Sequence, residues 1–96
     1  MIKIEGLFKC IEIKEINGNK VLNLSNSDKD KNGKFNNTYY QVWLSDKVSN
    51  MVDNELKRKM ANKAMISIEG WLKVLKKDKY TNLTIYPSKI TEYMKN

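Results

Sequence analysis

Thr38 to Lys63 reads TYYQVWLSDKVSNMVDNELKRKMANK, and the hydrophobic period changes once along the way. Thr38 to Leu44 is dense in aromatic and β-branched residues. Tyr40, Val42 and Leu44 alternate there against Tyr39, Gln41 and Trp43, which predicts a strand with one side in a core. From Ser45 to Lys63 the apolar residues Val48, Met51, Val52, Leu56 and Met60 recur at helical spacing, with lysines and acids opposite them. That spacing predicts one amphipathic helix directly after the strand.

Both flanks alternate at period two. Upstream, Met1 to Glu15 (MIKIEGLFKCIEIKE) sets Ile2, Ile4, Phe8 and Cys10 in phase and Ile11 and Ile13 out of phase, so a long strand bends or bulges near Lys9. Asn17-Gly18 is a hairpin signal, and Lys20 to Ser27 is the returning strand. Asp28 to Asn37 (DKDKNGKFNN) is polar and turn-rich, hence a loop. Downstream, Ala64 to Leu75 puts Ile66, Ile68, Gly70, Leu72 and Val74 on one face and Ser67, Glu69, Trp71, Lys73 and Leu75 on the other. A short basic turn, Lys76 to Lys79, leads to a last strand, Tyr80 to Ile90. In it Leu83 and Ile85 alternate against Tyr80, Asn82, Thr84 and Tyr86, and Pro87 implies an edge or a bulge. Three strands, one helix and two strands is the order of the five-stranded OB barrel, a mostly β fold, and residues 1–96 are expected to form that single domain.

Eighteen basic residues against eleven acidic ones give a net charge of +7, which favours a polyanionic partner, nucleic acid foremost. Arg58 is the one arginine, so the bidentate forks that read guanine edges are nearly absent; lysine point charges suit backbone tracking instead. No apolar run approaches the roughly 20 residues of a membrane span. The N-terminus lacks a signal-peptide pattern and Cys10 is the only cysteine, so a reducing, cytoplasmic location without membrane contact is expected.

With no histidine in the chain, Cys10 has no base to activate it and no metal site is expected. Asp28-x-Asp30-x-Asn32-Gly33 copies the start of a calcium loop, but Tyr39 stands where that loop needs its bidentate glutamate, and an Asn-Gly turn explains the stretch more simply. Paired carboxylates, a nucleophile with its base and a phosphate-cradling loop are all missing, so neither enzymatic activity nor a cofactor is expected.

Two blocks in the right order resemble the bacterial and phage single-stranded-DNA-binding (SSB) family. NTYYQVWLSDKVS, Asn37 to Ser49, is similar to the family's third strand running into its helix, and ISIEGWLKV, Ile66 to Val74, to its fourth, with an Ile-Glu-Gly step before an outward polar ladder. The resemblance implies that Tyr39 takes the place of the family's base-stacking aromatic, that strand edges pair into a homodimer or homotetramer, and that the chain serves replication, recombination or mobile-element transfer. The chain stops at ITEYMKN, without the linker and acidic tip of cellular members, and its hairpin between strands four and five is short. A minimal form that recruits nothing through a tail is the expectation.

A single strand is held by a basic groove for phosphates and by rings for bases. The outward-phase candidates are Tyr39, Gln41 and Trp43 on strand three, Trp71 and Lys73 on strand four, and Tyr80 and Tyr86 on strand five. Each ring either stacks on bases or packs under a loop or in a subunit interface. Lys29, Lys31, Lys34 and Phe35 form a mobile basic arm that clamps a bound strand or merely solvates the loop, and Lys76, Lys77 and Lys79 carry the same pair of readings. Single-stranded DNA bound without regard to base order is the expected ligand. RNA is the nearest competitor, and a protein-interaction or replication-accessory module is the alternative of a different class.

Overall fold

The structure, a computed structural model, describes residues 1–77 and 80–93. Five strands, β1 (Ile2–Ile16), β2 (Asn19–Lys29), β3 (Phe35–Trp43), β4 (Met65–Lys77) and β5 (Tyr80–Glu92), close into a barrel in the order β1-β2-β3-β5-β4, with β4 returning to β1. Neighbours are antiparallel except β3 and β5, which run parallel. Two short helices, α1 (Asp46–Ser49) and α2 (Asn54–Ala61), lie between β3 and β4. This is the OB-fold that the order of elements predicts.

Two local devices bend the strands into a cylinder. β1 pairs with β4 over Ile2 to Lys9 and with β2 from Lys9 to Ile16, and its register slips between Cys10 and Glu12. The extra residue is Ile11, two positions beyond the bend expected at Lys9, and it causes the switch in hydrophobic phase. The second device sits where Gly70 faces Pro87 while Glu69 faces Lys89, leaving Ser88 bulged. A Cβ on Gly70 would lie 2.8 Å from Pro87 Cα and nearer still to the Tyr86 carbonyl oxygen, so the strands approach this closely only over a glycine. β5 continues past the bulge to Glu92 rather than ending near Ile90.

The barrel interior holds Phe8, Cys10, Leu22, Leu24, Val42, Ile66, Ile68, Ile85 and Ile90, and Val48, Val52, Leu56 and Met60 from the helices complete the same cluster. Tyr40 meets the Phe8 ring edge-on at 5.3 Å, and burial, then Asp28, raises its phenol pKa. Cys10 is fully buried, and desolvation lifts its thiol to about 11, which keeps it protonated and unreactive.

Three expectations are corrected here. The helical segment is broken rather than continuous. The Asp53 carboxylate accepts from the Leu56 N–H at 2.7 Å and starts α2 afresh, so both helices keep their apolar residues on the barrel without a single axis. The loop from Asp28 to Asn37 is largely strand: Ser27, Asp28 and Lys29 pair with Asn37, Asn36 and Phe35, leaving only a tight turn. In that turn Asp30 accepts from the Asn32 and Lys34 N–H groups at 2.9 Å each and Gly33 takes φ +80°, so the calcium-like stretch is a turn with its aspartate turned onto the backbone. Lys76 and Lys77 likewise extend β4, because Lys76 pairs with Thr81 and Lys77 with Tyr80.

Candidate nucleic-acid interface

Strand parity divides β3, β5 and β4 into an inner side and an outer side, and registry aligns the outer residues into rows. Gln41 pairs with Thr84, which pairs with Lys73, forming a row across all three strands. One step along, Tyr86 pairs with Trp71, which pairs with Lys3 of β1; Trp43 lies two residues beyond Gln41 on the same side of β3. One step the other way, Asn82 pairs with Leu75, with Tyr39 two residues before Gln41. Rings therefore flank a polar middle row.

These rings stand clear of the core. Tyr39 is 62% exposed, Tyr80 65%, Trp71 46%, Tyr86 44% and Trp43 37%. Trp43 is the least open and faces the buried Val21 in register, so part of its ring covers the barrel wall. Lys73, Tyr86 and Met1 line an open depression of about 280 Å³ beside Trp71. Lys3 adds a cation next to Trp71 that the sequence alone did not pick out; the alternation turns it outward, but only the β1–β4 register puts it beside that ring.

The middle row is held together by hydrogen bonds. Gln41 Nε2 donates to Thr84 Oγ1 at 3.0 Å, and Thr84 Oγ1 donates to Asn82 Oδ1 at 3.2 Å. Thr84 is only 5% exposed although its phase is outward: it sits between Gln41 of β3 and Lys73 of β4, and the hydrogen bonds satisfy its hydroxyl. Gln41 thus stitches the parallel β3–β5 seam and also lines an open groove of about 220 Å³ with Tyr39, Tyr80 and Asn82.

The basic residues are more dispersed. Lys29 and Phe35 pair across the β2–β3 arm, the Lys29 ammonium lies 5.8 Å from the centre of the exposed ring, and Lys31 and Lys34 occupy the turn. The arm also carries Asp28 and Asp30, which offset two of its three lysines. Lys76 is exposed but shares the parity of Val74, on the side of β4 opposite Lys73. Lys79 and the side chain of Lys77 lie outside the described residues. The row formed by Glu5, Glu69 and Lys89 is the first to place acids opposite each other, marking an edge to the aromatic face.

No protein-family model and no curated protein matches this sequence. Solved structures do. The small single-stranded DNA-binding protein of Streptomyces coelicolor superposes with a TM-score of 0.66 at 14% identity, over 97% of this chain and 94% of that one. The dimeric N-terminal domain of PriB from Thermoanaerobacter tencongensis gives 0.56 at 12% identity, over 98% of both chains. At such identities the likeness is one of fold, spanning the whole barrel.

Proposed function

We propose that this chain binds single-stranded DNA with little regard for base order, stacking bases on the outer rings of β3, β4 and β5 and neutralising phosphates with lysines. The observation that carries this reading is the row Lys3, Trp71, Tyr86 beside Lys73: exposed rings and cations interleaved on one side of a barrel whose apolar needs are met inside. Stacking contributes roughly 1 to 3 kcal/mol per base and uses a π-face that every base has. A likeness to a Streptomyces protein named for binding single-stranded DNA supports the same ligand. The mode of action is holding and protecting a strand, without catalysis or cofactor, in replication, recombination or mobile-element transfer.

Self-association belongs to the proposal. Residues Ile2 to Phe8 pair with β4 on one side, while ladder pairing to β2 starts only at Lys9; the Leu7 carbonyl accepts from Asn26 Nδ2, and Ile2 to Gly6 before it offer an edge of backbone groups to a second copy. Ile2 and Leu7, both exposed, flank that edge. The PriB domain of similar fold is dimeric.

Fluorescence anisotropy of labelled oligo(dT) against a duplex of equal length, at low and high salt, tests the reading. Tight binding of the single strand that weakens steeply with salt supports it. Equal affinity for duplex, or no binding at low salt, overturns it, and a preference for the RNA strand of the same sequence would reassign the ligand.

A further inference from the structure

The groove between Tyr39 and Tyr80 contains more than rings. The amides of Gln41 and Asn82 line it, beside that of Asn23, which faces Gln41 in register, and Thr84 holds the first two. Because the Thr84 hydroxyl accepts from the Gln41 NH2 group, the Gln41 carbonyl oxygen is left for a ligand. Because the same hydroxyl donates to the Asn82 carbonyl oxygen, the Asn82 NH2 group is left as well. An unanchored amide can present either end; these two are coupled through one hydroxyl that is 5% exposed and that accepts from one amide while donating to the other, so whichever way the relay runs one of them keeps a free oxygen and the other a free NH2 group. The result is one oriented acceptor and one oriented donor in an open groove of about 220 Å³ that Tyr39 of β3 and Tyr80 of β5 also line.

We propose that this groove is a subsite for one unpaired nucleobase of the bound strand, gripped between Tyr39 and Tyr80 and hydrogen-bonded through its Watson–Crick edge to Gln41 and Asn82. The inference rests on the single-strand reading above. Each of the four bases has a donor beside an acceptor on that edge, so the subsite accepts any of them, in keeping with indifference to base order. In a duplex the same edge is occupied by the partner base. The subsite therefore adds a preference for single strands that stacking and lysines alone do not supply. Thr84 touches no ligand in this arrangement; it is a positioning residue.

The test uses the full chain and two oligonucleotides of equal length, oligo(dT) and oligo(dT) methylated at every N3. Methylation removes the thymine edge donor and leaves phosphates and ring faces in place. The expected result is a loss of roughly tenfold in affinity, the scale of one or two net hydrogen bonds. Thr84→Val, checked for folding by circular dichroism, is expected to shrink that gap to about twofold or less by weakening oligo(dT) alone, because freed amides no longer favour one orientation. Equal affinity of the wild-type chain for both oligonucleotides overturns the subsite while leaving the stacking proposal intact. Failure to bind oligo(dT) at low salt overturns both. An unchanged gap in a folded Thr84→Val chain removes Thr84 from the account.

Discussion

Tyr39 and Tyr40 are adjacent in the chain and identical in chemistry, yet they sit in different environments. Tyr40 faces inward, edge-on to Phe8, with a phenol made harder to ionise by burial; Tyr39 faces outward and is 62% exposed. The same split runs along β4, where Ile66 and Ile68 are fully buried and Trp71 and Lys73 are exposed. A strand with period two can thus assign stability to one side and ligand contact to the other. Substitutions on the two sides should then fail in different assays.

The largest expected effect is on the inner side. Phe8→Ala removes a ring that is 1% exposed and is expected to cost about 3 to 5 kcal/mol of stability, read as a fall in the urea midpoint. A loss below about 1 kcal/mol would mean that the barrel interior is not packed as described. Gly70→Ala comes next, because its methyl has no room against Tyr86 and Pro87; a loss of about 1 to 3 kcal/mol is expected, with Ser67→Ala on the outer side of the same strand as a near-silent control.

Outer-face changes should reverse the pattern. Trp71→Ala is expected to leave the stability read from urea unfolding within about 1 kcal/mol of the parent and to weaken oligo(dT) binding by about 1 to 3 kcal/mol. Loss of stability without loss of binding would place Trp71 with the core. The smallest effect is that of Lys34→Ala at the tip of the arm: if Lys34 meets a phosphate, the slope of log K against log salt should fall by about 0.7, and an unchanged slope makes it a solvating residue.

Much of this division was legible in the sequence. Alternation in TYYQVWL and ISIEGWLKV assigned the two faces of β3 and β4, and the change to helical spacing after Leu44 fixed the order of elements and with it the barrel. What alternation cannot show is which strands become neighbours. Lys3 beside Trp71, and the parallel β3–β5 seam that buries Thr84 under Gln41, depend on registers between segments far apart in the chain. Polar composition misled in the arm: Asp28 to Asn37 contains no apolar alternation, yet a single glycine turn extends the ladder through it, because a hairpin needs backbone partners and a tight turn more than a core side. The helical break was hidden for the opposite reason, since apolar residues keep their spacing across it while Asp53 caps a new start.

The most direct test of the central claim is tryptophan emission, because both tryptophans, Trp43 and Trp71, lie on the outer face. Titration with oligo(dT) at low salt is predicted to quench it saturably, with the quenching curve moving to higher DNA concentration as salt rises and duplex of equal length giving little change. Unchanged emission at low salt, with no retention of the protein on immobilised single-stranded DNA, would contradict the account.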